Sequence, residues 1–179
     1  MVETVEHNES EEEVGAMGIL AEALEQEHHE IDGGIESFVQ RLEQGTPDKK
    51  SLLRAFDALR RHIYLEETFI FPPLKAAGLM MPVFVMLREH GELWNAMDKI
   101  EALLGSEPAR LEQSTINSLK HGCQELLSLL DAHNSKEEPV IYPQIDANLD
   151  PSANQELQDF LVDGTLPKAW VCEQAYSES

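Results

Sequence analysis

The chain has 179 residues, 42% of them hydrophobic, which is enough for one domain with an apolar core. With 34 acids against 13 bases the formal charge is -21, which repels nucleic acid and anionic membranes and excludes both as partners. No apolar run approaches the roughly 20 residues of a membrane span, and the N-terminus is acidic where a signal peptide is basic, so a cytoplasmic protein is expected. Cys123 and Cys172 lack metal-motif spacing and are too few for a disulfide framework, so they read as plain thiols, Cys123 in the core and Cys172 in the tail.

Residues 1–15 hold six Glu and no Lys or Arg, and read as a disordered acidic tail in which His7 is solvated. From about Ala16, a stripe of Leu20, Leu24, His28, Ile31, Ile35, Phe38 and Leu42 predicts an amphipathic helix, with His29 off the stripe. Gly33-Gly34 weakens its interior by about 1 kcal/mol per Gly, which close approach of a neighbouring helix would offset. Gly45-Thr46-Pro47 ends it, with Thr46 placed to cap a second helix and Pro47 at that helix's first position. The second helix carries Leu52, Phe56, Leu59, His62, Ile63, Glu66 and Ile70, until Pro72-Pro73 disrupts its last turn.

Pro82 opens a third helix with Val83, Leu87, His90, Trp94, Met97 and Leu104 on its stripe. A long connection follows Gly105, and a fourth helix, capped by Ser114 or Thr115, carries Ile116, Leu119, Cys123, Leu126, Leu130, His133, Glu137 and Val140, with His121 off the stripe. Pro139 cannot bond to the carbonyl of Ser135, so the helix should kink or loosen beside Glu137. Beyond Asp150-Pro151, residues 153–162 form a short amphipathic helix, and the tail with Trp170 and Tyr176 covers either a bundle end or a partner surface. The expected architecture is all-α: an up-and-down antiparallel four-helix bundle over residues 16–148 and a C-terminal extension over 149–179.

One frame occurs twice: His62-xxx-Glu66-Glu67-xxx-Phe71-Pro72 and His133-xxx-Glu137-Glu138-xxx-Tyr142-Pro143. Upstream of the copies stand Glu27-His28-His29-Glu30 and Glu89-His90-Gly91-Glu92. His28 precedes Gly45 by the same 17 residues by which His62 follows it, so the two should face each other across the first hairpin. His90 and His133 reach one level only if about a dozen residues after Gly105 belong to the connection.

His28, His62, Glu66, His90, His133 and Glu137 thus lie at related heights on four otherwise apolar stripes. Buried carboxylates cost several kcal/mol each unless paired or metal-bound, and four imidazoles beside two carboxylates supply that pairing through a dinuclear cation site. Imidazole with carboxylate suits iron or manganese, and zinc is compatible with the same ligand types. The second Glu of each pair, Glu67 and Glu138, is turned roughly 100° from the first and reads, with Glu25, Glu27 and Glu89, as a solvated face more readily than as a group orienting imidazoles.

At these residues the chain resembles the hemerythrin-like, HHE cation-binding family, over about residues 16–148. The resemblance implies a four-helix bundle around two non-haem irons, His28 and His62 on one, His90 and His133 on the other, with Glu66 and Glu137 bridging beneath an oxo or hydroxo ligand. One departure is that the oxygen carriers have a further His one turn after the third-helix His, where this chain has Trp94; this removes the asymmetry between a saturated and an open iron. Asp32, one turn after His28, is an alternative extra ligand, and Trp94, Phe69 and Leu130 are expected to line a dry pocket. The function expected is binding or sensing of a small ligand (dioxygen, peroxide or nitric oxide) or of iron. The alternatives are an enzyme consuming peroxide or nitric oxide, with Tyr64 or a second Glu as proton donor, and a protein that reads metal occupancy out to a partner through its tails. The open side is expected at His90 and His133, where Pro139 adjoins the bridging Glu.

Overall fold

The computed structural model describes residues 9–105 and 112–177, with side chains from Leu20 onward, and among these it is helical with no strand. Its four long helices are α1 (Glu9–Glu43), α2 (Lys49–Leu65), α4 (Met80–Leu104) and α5 (Gln113–Val140). Short helices α3 (Phe71–Ala76), α6 (Ile145–Asn148) and α7 (Pro151–Asp163) follow the two copies of the repeated frame. Helix α1 packs on α2 and α5, and α4 on α5 and α2, so each long helix touches two others. No described helix is long and apolar enough to cross a membrane.

Helix α1 starts at Glu9, earlier than the Ala16 expected, while His7 and the rest of residues 1–8 lie outside the described residues. Its end is a Schellman turn: Gly45 at φ +75° donates to the carbonyl of Leu42, and Thr46 to that of Arg41. Thr46 is thereby used in closing α1, and the cap of α2 falls instead to Asp48, whose carboxylate accepts from Ser51 N–H at 3.2 Å. Pro47 accordingly lies before the cap rather than at the first helical position. Helix α5 is preceded by Glu112 with no side-chain cap, not by Ser114 or Thr115, and most of the expected connection, residues 106–111, lies outside the described residues. The Gly33-Gly34 expectation is met at one position: a Cβ on Gly34 would sit 2.9 Å from Ala55 Cβ of α2, whereas one on Gly33 would meet nothing.

Two apolar clusters fill the interior. One runs from Ile31 and Phe38 through Phe56, Trp94 and Leu126 to Cys172; the other gathers Leu24, Leu65, Phe71, Leu87, Tyr142 and Leu157. The six stripe residues lie in neither cluster, yet all are buried. Cys172, in the tail, is buried against the core, and burial pushes both thiols up to about 12.

Candidate metal centre

The two copies of the repeat differ in their backbones. Pro72 and Pro73 have no N–H to continue an α-helical ladder, and just before them the chain widens into a π turn, Glu66–Ile70, closed by Phe71 N–H donating to the Glu66 carbonyl. In the second copy α5 continues through Pro139, Ile141 N–H bonds to the Glu137 carbonyl at 2.8 Å, and a 3₁₀ turn follows at Tyr142–Gln144. The loosening expected at Pro139 thus comes after Val140, while the first copy carries an irregularity at its Glu that the periodicity did not show.

All six expected residues come together. His28, His62, Glu66 and Glu137 form one group whose ligand atoms lie within 4.8 Å of one another, and Glu66, His90, His133 and Glu137 form another. Both carboxylates belong to both groups. Glu66 divides its oxygens, Oε1 at 3.1 Å from His62 Nε2 and Oε2 at 3.2 Å from His90 Nε2. Glu137 Oε2 lies 3.2 Å from His133 Nε2 and 3.6 Å from His28 Nε2. Glu66 Oε2, Glu137 Oε1 and His90 Nε2 are buried without any hydrogen bond, an arrangement that costs a few kcal/mol unless a cation lies among them.

Each imidazole is held from behind. His62 Nδ1 donates to Glu27 at 2.7 Å, His133 Nδ1 to Glu89 at 3.1 Å, His90 Nδ1 to Glu67 at 2.9 Å and His28 Nδ1 to Glu138 at 3.0 Å. Four of the acids read as a solvated face therefore hold the inward imidazoles by their Nδ1 atoms. Glu25 makes no such contact. The clamps cross between the halves: the Glu before each first His holds the second His of its own half, and the second Glu of each pair holds the first His of the other half.

With Nδ1 donating, each neutral imidazole aims a lone pair inward from Nε2. His28 Nε2 and His62 Nε2 then face each other at 2.9 Å, which is repulsive unless a proton or metal lies between them. Counting protein groups alone, burial would push His62 and His133 down, yet Glu66 and Glu27 raise the first to about 10, and Glu137 and Glu89 raise the second to about 10. Burial lowers His28, reinforced by His62. Burial works against charge on Glu89 too, but His133 and Lys136 hold it down to about 2.

Six carboxylates surround the four imidazoles, and two are paired outward, Glu27 with Arg61 and Glu89 with Lys136. The remaining four negative charges are what two divalent ions would balance. A dication in each group would take the place of the protons that the cage otherwise attracts.

A sequence profile for the Hemerythrin HHE cation binding domain matches residues 19–145. The chain belongs to this family. No curated protein and no solved structure matches it at a significant level.

Within that hemerythrin-like domain several expectations need correction. Asp32 joins neither ligand group; burial and then Glu36 raise its carboxyl to about 6, and its Oδ1 has no partner. Tyr64, expected as a proton donor, lies away from the centre among Phe69, Phe160 and Trp170 at centroid distances of 6.2, 5.3 and 5.1 Å. Trp94 meets Trp170 at 5.6 Å, carries the Arg60 guanidinium and shares an apolar cluster with Leu130, while Phe69 packs with the other cluster.

Two features were not foreseen. The tail runs past the site: Glu173 N–H donates to Glu67 Oε2 at 2.9 Å, and a Cβ on Gly91, next to His90, would strike the Gln174 carbonyl at 2.4 Å. The second is Tyr142, whose hydroxyl is buried among the ligands. The signal for it stood in the repeat itself, where Phe71 and Tyr142 hold the same place.

Proposed function

We propose that the chain is a non-haem di-iron protein, an up-and-down four-helix bundle that binds or senses a small ligand such as dioxygen, peroxide or nitric oxide at the iron held by His90 and His133. The observation that carries this reading is the pair of buried four-ligand groups sharing Glu66 and Glu137, with every imidazole clamped at Nδ1. Hard carboxylates with imidazoles favour iron over copper, and manganese or zinc come behind it. A cleft of about 130 Å³ lined by Glu89, Glu92, Leu93, Leu129, Ala132 and Lys136 lies behind His133, beside the carboxylate on its Nδ1, and none of the six inward residues lines it. Anaerobic loading with Fe(II), followed by air, is expected to give about two irons per chain and near-ultraviolet charge-transfer absorption. A chain that retains no iron overturns the reading.

A second reading, in which metal occupancy is passed to a protein partner, is favoured by the tail. Residues 170–176 reach Glu67, and through it His90, so filling the His90 group would bear on how the tail is held. Limited proteolysis of residues 164–179 with and without iron tests it, and equal cleavage rates count against it.

A further inference from the structure

The aromatic rings that stack on the first His of each half differ at one atom. Phe71 stacks beside His90 at 5.3 Å between ring centroids with 20° between planes, and Tyr142 stacks beside His28 at 5.7 Å with 27°. Each aromatic belongs to one copy of the repeated frame and faces the first His of the other half. Both rings are fully buried, so they fill equivalent places, and only Tyr142 carries a hydroxyl into the centre.

That hydroxyl lies 2.9 Å from His28 Nε2, 3.0 Å from Glu66 Oε1, 3.3 Å from His62 Nε2 and 3.4 Å from Glu137 Oε2. These are the four ligand residues of the first group. A phenol has one proton to give and can satisfy one of the four; where the imidazoles are neutral with Nδ1 donating, it presents lone pairs to the rest. Donors bound to one ion at about 2.1 Å in an octahedral arrangement sit about 3.0 Å from their cis neighbours. The hydroxyl's separations from His28 and Glu66 match that spacing, as do the 2.9 Å between the two imidazole nitrogens and the 3.1 Å from His62 to Glu66, while those from His62 and Glu137, and the 3.6 Å from His28 to Glu137, are a few tenths of an ångström longer.

The geometry points to Tyr142 as a phenolate ligand to the metal held by His28 and His62. On coordination the phenolic O–H bond breaks, the oxygen keeps the electron pair and donates it to the metal, and the proton leaves to solvent. The first group then supplies five protein donors and the second four, because Phe71 offers none. The asymmetry that the oxygen carriers obtain from a fifth His, absent here because Trp94 occupies its position, is restored on the other metal by a Tyr. This assignment rests on the proposed di-iron reading and places the exchangeable position beside His90, His133 and Phe71.

The test is resonance Raman and visible absorption of the ferric protein, with iron content measured on the same samples. Wild-type protein carrying about two irons per chain should show a phenolate-to-iron(III) charge-transfer band in the visible, with tyrosinate ring modes that shift when ring-deuterated tyrosine is incorporated. Tyr142→Phe, which restores the residue type of the other repeat, should lose the band and the modes, while Tyr64→Phe should keep both. Two irons in the wild type without tyrosinate modes overturn this inference and leave the di-iron reading intact. A wild type with no iron overturns both. Because the wild-type spectrum decides, the outcome stands even where Tyr142→Phe loads poorly.

Discussion

Truncating a residue that touches no metal should weaken metal binding, and by an amount that follows its burial. Glu67 accepts the His90 Nδ1–H at 2.9 Å with a side chain 7% exposed, against a fully buried imidazole. Glu67→Ala leaves that N–H without an acceptor where water does not readily replace it, a loss of about 1–3 kcal/mol. Groups in this position behind a metal-bound His are worth about 10- to 100-fold in affinity, or about 1.4–2.7 kcal/mol, so the two magnitudes agree. Glu138 does the same for His28 but is 34% exposed, so water substitutes for it and Glu138→Ala should fall near the tenfold end. Glu67→Gln keeps an acceptor oxygen and should lose less than Glu67→Ala, and Glu25→Ala should lose nothing. Competition of each variant with a chromophoric chelator for Fe(II) under argon gives the ranking, with circular dichroism checking the fold. Affinity of Glu67→Ala within about twofold of wild type, or a larger loss in Glu138→Ala, refutes the argument that these carboxylates orient the ligands.

Glu66→Ala removes the carboxylate whose two oxygens serve both groups and should lower metal content at both, whereas His62→Ala should spare the His90 group; metal analysis after gel filtration separates the cases. Asp32 has a folded-state value of about 6, above its ordinary 3.8, so its contribution to stability is full below the ordinary value and is lost as pH rises through about 6. Asp32→Asn should therefore melt higher than wild type at pH 8, with the difference vanishing near pH 4, as read by thermal denaturation. Gly33→Ala should stabilise by about 0.5–1 kcal/mol through helix propensity, while Gly34→Ala, forced against Ala55, should destabilise by about 1–3 kcal/mol; urea unfolding should give opposite signs. Gly91→Val places its side chain on the Gln174 carbonyl and should free the tail, raising the rate of proteolysis within residues 170–177.

The inward six were legible because a helix of period 3.6 puts residues four apart on one face, and His62 with Glu66, or His133 with Glu137, needed nothing more. The pairing across the first hairpin also followed from counting residues to a turn, and the rings of His28 and His62 lie 4.7 Å apart; the pairing of His90 with His133, whose rings lie 5.1 Å apart, needed in addition an assumed length for the connection after Gly105. That count failed to show where the flanking acids point. Glu67 does turn away from the metal groups, but the surface it reaches belongs to α4, and a helical wheel drawn for one helix carries no knowledge of its neighbour.

Each clamp joins residues 23 to 110 positions apart, and the tail reaches Glu67 over 106, so none lies within the range of a local pattern. The π turn at Glu66–Ile70 likewise depends on Phe71 and Leu74 finding buried places after the prolines stop the ladder. Sequence periodicity thus found the inward six, since facing depends first on angles along one helix, but it also put Val140 on the stripe, and that side chain is exposed. What meets them from outside, and the arrival of the Tyr142 oxygen among four ligand residues, depend on the packing of several helices and were set only by the folded chain.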